Sequence, residues 1–175
     1  MPYTFLVGGA RSGKSSLAVR LASAFEGPVV VVATAEARDD DMAERIRAHR
    51  SARPPEWEVV EAPRGLLGAI EGIREDASVI LDCLTLWVSN ALEEGLSEGD
   101  IDGKGRKVAS TLATRAAPSV VVSNEVGLGI VPANELARRY RDVLGRVNAS
   151  FAAEASGCFF VVAGRGLPLE EVTQT

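Results

Sequence analysis

Residues Gly8 to Ser15 read GGARSGKS, directly after the apolar run Tyr3-Thr4-Phe5-Leu6-Val7. G-x-x-x-x-G-K-[ST] is the pattern of a loop whose backbone N–H groups wrap nucleotide phosphates. Each residue of Gly8, Gly9, Ala10, Arg11, Ser12, Gly13, Lys14 and Ser15 is therefore a candidate phosphate ligand. Gly8 and Gly13 permit backbone angles and a close phosphate approach that a side chain would obstruct. Lys14 can reach the β- and γ-phosphates, and the Ser15 hydroxyl can ligand Mg²⁺. Leu17, Ala18, Leu21, Ala22 and Phe25 follow at helical spacing, so a helix N-terminus would aim unpaired N–H groups at the same phosphates.

Two further residue types could act on a nucleotide. Asp82 ends the run Val79-Ile80-Leu81. A buried strand would deliver that carboxylate toward the phosphate loop, where it could hold Mg²⁺ with Ser15. Capping the next helix is the alternative use of an Asp there. His49 is the sole histidine, late in DDDMAERIRAHRSARP among Arg45, Arg47, Arg50 and Arg53. It reads either as a surface histidine on a solvated helix end or as a nucleophile. Neighbouring cations favour neutral imidazole, and arginines could neutralise an attacked phosphate. Asp39, Asp40 and Asp41 fit helix capping better than metal binding.

The elements that must position these groups alternate. Apolar, β-branched runs at Tyr3–Val7, Val29–Ala33, Trp57–Val60, Val79–Leu81, Val120–Val122 and Phe159–Ala163 read as strands buried on both faces. Amphipathic segments are expected at Lys14–Phe25, Asp41–Arg50, Leu66–Arg74, Leu84–Leu92, Arg106–Arg115 and Asn134–Ala155, the last broken near Gly145. This order predicts an α/β fold with a mostly parallel sheet flanked by helices. Ligands of such sheets bind beyond the strands' carboxyl ends, which selects Thr34, Glu61, Asp82, Ser123-Asn124-Glu125 and Gly164 beside the glycine loop. In SVVVSNEVGLGIVP, Gly127 and Gly129 would let a loop fold over a ligand or another chain, or simply join strand to helix. Glu93–Gly105 is expected to be a mobile surface loop, and the residues after Gly164 a loose tail.

Composition narrows the class. The 175 residues, 46% hydrophobic, suit a single nucleotide-binding domain over 1–175. Net charge is −5, which supplies no basic field for nucleic acid and favours small substrates. Cys83 and Cys158 have no metal-ligand spacing and read as buried thiols in a reducing compartment. No stretch approaches membrane-spanning length and no leader pattern is visible, so a cytoplasmic location is expected.

GGARSGKS, the histidine segment DDDMAERIRAHRSARP, VILDCLTLWVSN, SNEVGLGIVP and RDVLGRVNASFAAEA, in this order over nearly the whole chain, resemble the bifunctional adenosylcobinamide kinase/adenosylcobinamide-phosphate guanylyltransferase family of cobalamin biosynthesis. The resemblance implies a RecA-like P-loop NTPase fold and a homotrimer. It implies phosphorylation of adenosylcobinamide with ATP or GTP, then transfer of GMP from GTP to adenosylcobinamide phosphate. The second step would pass through a histidine–GMP intermediate at His49, with Lys14 as a further catalytic residue. Ala33, Thr34 and Ala35, and likewise Arg50, Ser51, Ala52 and Arg53, would line the nucleotide site, with Glu61 and Asp82 as ligand-contacting carboxylates. The family often has Glu where this chain has Asp82. The shorter side chain keeps the charge and can admit a water before the metal or shift a base-recognition contact. No base for the kinase step is evident in the sequence.

Overall fold

The computed structural model describes residues 3–171. Its strands are β1 (Thr4–Gly8), β2 (Val29–Ala33), β3 (Glu58–Glu61), β4 (Ser78–Asp82), β5 (Ser119–Asn124), β6 (Gly157–Val162) and β7 (Arg165–Pro168). They form one seven-stranded sheet in the order β3-β2-β4-β5-β1-β6-β7. All pairs are parallel except β6 with β7.

Helices α1 (Lys14–Ala22), α2 (Asp40–Ser51), α3 (Leu66–Glu71), α4 (Leu84–Glu93), α5 (Glu98–Thr114) and α6 (Glu135–Glu154) complete the fold. Because side chains alternate along a strand, β1 sends Phe5 and Val7 to one face and Leu6 to the other. The first face packs against α3, α4, α5 and α6 through residues such as Ile70, Trp87, Leu112 and Phe151. On the second, Leu6, Val31 and Val122 meet Ala18 and Ala22 of α1. This two-sided burial is why β1, β2, β4 and β5 read as unbroken apolar runs; β3 and β6, expected to be buried likewise, are mostly half-buried or exposed because they lie toward the sheet's edges. Helix α2 buries none of its residues.

Three expectations are corrected. Glu93–Gly105 is not a mobile loop, for α5 begins at Glu98. The Ser97 side chain accepts the Asp100 N–H and caps it. Ile101 is fully buried, and Gly105 is buried where a Cβ would lie 3.6 Å from Val147 and 3.8 Å from Trp87. A glycine-rich stretch thus becomes a helix because tertiary packing outweighs its weak propensity. Second, α6 runs through Gly145 unbroken. Third, the tail is not loose after Gly164. Ala163 (φ 50°) and Gly164 (φ 74°) make a two-residue hairpin turn that pairs β7 with β6. Residues 172–175 of the expected tail lie outside the described residues.

One buried cation is structural. Arg115 donates to the carbonyls of Ile70, Ile73 and Ala77 at 3.4, 3.3 and 3.0 Å, satisfying the end of α3 and the turn beyond it.

Candidate active site

Strand β1 delivers the glycine loop to the carboxyl edge of the sheet. A Cβ on Gly8 would stand 2.2 Å from the Val161 carbonyl oxygen, so Gly8 is required by the neighbouring strand itself. Gly13 takes φ 96° and caps α1, where a Cβ would lie 2.9 Å from the Gly164 Cα. Gly164 also donates its N–H to the Ser12 carbonyl at 2.8 Å. The β6–β7 turn is therefore the back wall of the phosphate loop. The first turn of α1 has no acidic residue and no capping side chain, which leaves its N–H groups to an external anion.

Lys14 is only 6% exposed. Its ammonium donates to Gly8 O (2.9 Å), Gly9 O (2.6 Å) and Ser12 Oγ (3.2 Å). Burial lowers its pKa, while the neighbouring Cys83 and Asp82 pull it back up. The phosphate loop and the end of β4 thus share one electrostatic environment.

His49 and Arg53 meet at Asp82. The Asp82 carboxylate accepts a hydrogen bond from Arg53 at 2.7 Å, with both side chains about a tenth exposed. His49 Nδ1 lies 3.7 Å from the same Oδ2, longer than a hydrogen bond. Burial pushes the Asp82 carboxyl up, but His49 and Arg53 prevail and hold it below the ordinary carboxylate value. Asp82 is not the cap of α4, which is Cys83, so the capping alternative is set aside. The arginines around His49 are expected from sequence, but the anion facing Nδ1 comes from another element.

The remaining residues have distinct settings. Thr34 is buried, donates to Cys83 O at 2.6 Å and accepts from Cys83 N at 2.9 Å, bracing the β4–α4 corner at the cis Asp82–Cys83 peptide. Ala33 pairs in register with Glu61 and Asp82, and Ala35 follows half-buried. Glu61 is exposed and ion-paired with Arg50. Ser51 bonds back to Arg47 O at 3.0 Å, and Ala52 caps α2. Asp39 accepts the Met42 N–H at 2.7 Å, the capping role expected of the aspartates.

For Mg²⁺ the chemistry of the donor set fits. Mg²⁺ is commonly held by one or two side chains together with phosphates and water. Ser15 lies in the first turn of α1 and Asp82 ends β4. Arg53 and His49 both contact Asp82 at Oδ2, and Oδ1 accepts no hydrogen bond among the described residues.

Sequence reasoning gave no definite role to the end of β5. The Glu125 N–H donates to Gly8 O at 3.0 Å, and the Asn124 N–H donates to the Thr85 hydroxyl oxygen at 2.8 Å. Neither Gly127 nor Gly129 has a positive φ, and only Gly127 has a close neighbour, the Glu125 carboxylate. Beyond them Leu128, Ile130, Val131 and Leu136 stand exposed.

Solved structures share this fold. A type III secretion system ATPase superposes with TM-score 0.58 at 11% identity, covering 91% of this chain and 50% of the other. The ATPase EscN of enteropathogenic E. coli gives 0.55 at 11%, covering 93% and 43%. A Pyrococcus horikoshii OT3 protein gives 0.58 at 6%, covering 98% and 87%. Among sequences, the bifunctional adenosylcobalamin biosynthesis protein CobP of Pseudomonas aeruginosa is 40% identical over 94% of this chain and 95% of its own length. The CobU proteins of Salmonella typhimurium and Escherichia coli are each 37% identical over 94% of this chain and 98% of theirs. With residues 4–169 matched throughout, the chain belongs to the cobinamide kinase / cobinamide phosphate guanyltransferase family.

Proposed function

We propose that this chain is an adenosylcobinamide kinase and GTP:adenosylcobinamide-phosphate guanylyltransferase in cobalamin biosynthesis, acting through a histidine–GMP intermediate on His49. Its single nucleotide-binding domain would work in the cytoplasm as a homotrimer. The exposed apolar loop around Ile130 favours such an assembly.

The observation that carries the covalent step is the His49–Asp82–Arg53 cluster. With Nδ1 toward a carboxylate, the proton resides on Nδ1 and the Nε2 lone pair is free to attack. Nε2 attacks the α-phosphorus of GTP, the α–β bridging P–O bond breaks, and pyrophosphate leaves toward Lys14. The guanylylated ring carries positive charge, which Asp82 stabilises. A phosphate oxygen of adenosylcobinamide phosphate then displaces the imidazole and forms the diphosphate linkage. Ala33, Thr34, Ala35, Arg50, Ser51, Ala52, Arg53 and Glu61 surround the nucleotide on this side of the sheet.

The kinase step requires positioning and charge neutralisation more than covalent chemistry. Gly8 to Ser15 cradle the phosphates of ATP or GTP, and Lys14 meets the charge on the transferring group. Ser15 and Asp82 are the residues that would hold Mg²⁺, whose contribution is to neutralise the phosphate oxygens.

Intact mass after incubation with GTP and Mg²⁺, with His49→Ala alongside, tests the reading. A GMP adduct mapped to His49 that discharges onto adenosylcobinamide phosphate is the expected result. Absence of an adduct where GTP demonstrably binds would leave a plain P-loop kinase.

A further inference from the structure

We infer that Glu125 is the general base of the kinase step, taking the proton of the acceptor alcohol as it attacks the γ-phosphorus. The inference rests on the kinase reading above and supplies the base that the motifs themselves do not identify.

Position comes first. Glu125 follows β5, the strand lying between β1, which carries the phosphate loop, and β4, which carries Asp82. Its N–H and the Lys14 ammonium converge on one atom, the Gly8 carbonyl oxygen, at 3.0 and 2.9 Å. Lys14 is the residue expected at the β/γ-phosphates. The Glu125 side chain therefore starts beside the group to be transferred.

Availability separates Glu125 from its neighbours. The other carboxylates that follow strands at this edge are each held by a guanidinium. Glu36 pairs with Arg38 and Arg64, Glu61 with Arg50, and Asp82 with Arg53. Pairing stabilises the carboxylate and weakens it as a base: Arg38 and Arg64 hold Glu36 below its ordinary value, and His49 together with Arg53 holds Asp82 below its own against the effect of burial. Among the described residues no cationic side chain forms an ion pair with Glu125. Its carboxylate instead accepts the Gly127 N–H, which fixes its direction and leaves its second oxygen for an acceptor. The residue is half-buried, open to a large substrate.

The step balances without another reactant. The alcohol O–H breaks with its proton passing to Glu125, and the alcohol oxygen forms the new bond to the γ-phosphorus. The β–γ bridging P–O bond breaks, the nucleoside diphosphate leaves, and Glu125 returns its proton to solvent.

Glu125→Gln keeps the shape and the acceptor for Gly127 while removing the base. In wild type and variant, ATP-dependent phosphorylation of adenosylcobinamide is measured separately from guanylyl transfer to adenosylcobinamide phosphate supplied ready-made. The expected result is a fall in phosphorylation kcat of about 10²–10⁴-fold, with the KM for ATP and the guanylyl transfer rate each within about twofold. Phosphorylation by the variant within a few-fold of wild type would overturn the assignment. An equal loss of both activities would overturn it too, by marking Glu125 as part of the shared nucleotide site. A wild type that transfers guanylyl but phosphorylates nothing overturns the kinase reading itself, and the wild-type measurement alone identifies that case.

Discussion

Gly13 of the phosphate loop and Gly164 of the last hairpin face each other so closely that a Cβ on Gly13 would stand 2.9 Å from the Gly164 Cα. The contact joins the first and last parts of the described chain, and the Gly164 N–H to Ser12 O bond at 2.8 Å reinforces it. Backbone against backbone cannot give way as a side-chain tip would. Gly13→Ala combines a left-handed φ of 96°, which costs an L-residue about 1–2 kcal/mol, with this clash. Gly164→Ala meets nothing within 4 Å and carries only the φ cost. Titration with a fluorescent GTP analogue should show binding weakened at least about tenfold in Gly13→Ala, and distinctly less in Gly164→Ala. Equal effects would mean that the hairpin is not the wall of the loop.

Arg53 and Arg50 lie one turn apart and should behave differently. Arg53 and Asp82 are about a tenth exposed, so removing the guanidinium strands a buried carboxylate. Arg53→Ala should destabilise by about 3 kcal/mol in urea unfolding and, if His49 is guanylylated as proposed, slow that step, because His49 Nδ1 faces the same carboxylate. Arg50 and Glu61 are more than half exposed, and Arg50→Ala should stay within about 0.5 kcal/mol of wild type.

The start of α5 should loosen in acid. Arg146 and then Arg139 hold the Glu98 carboxyl below its ordinary value, although burial acts the other way. A folded-state pKa below the unfolded one gives stability that is present above the unfolded value, about 4.3, and is lost as pH falls through the folded value. Amide exchange across Glu98–Gly105, referenced to peptide controls, should therefore lose protection on acidification through that window. Glu98→Gln should show the looser behaviour already at neutral pH. A segment equally unprotected at both pH values would restore the loop reading.

These cases also explain which features were legible in the sequence. Strand β2 is found to the residue because both faces of its VVVVA run are covered, and hydrophobicity alone marks such a strand. The glycine loop is legible because phosphate binding constrains consecutive residues. The α5 start hides because Ile101 and Gly105 matter through Val147 and Trp87, partners that no local window contains. The β6–β7 hairpin is hidden in the sequence for a different reason: Ala163, at φ 50°, stands where Asn or Gly usually marks such a turn. His49 illustrates the limit of local charge. Its sequence neighbours are arginines, yet the group nearest Nδ1 is an aspartate that arrives on β4.

The apolar loop beyond Glu125 gives the last test. Ile130 is 97% exposed and Leu128 81%, with Val131 and Leu136 beside them in sequence. No core loss follows from changing Ile130, so its substitution reports on association rather than folding. If the proposed trimer covers this loop, Ile130→Glu places a charge in a dry contact and should shift the mass by light scattering from trimer toward monomer, with Tm falling only as association is lost. A trimer that survives Ile130→Glu would place its contacts elsewhere. The loop would then be free to meet the acceptor substrate, and the KM for adenosylcobinamide should rise in the variant while that for ATP does not.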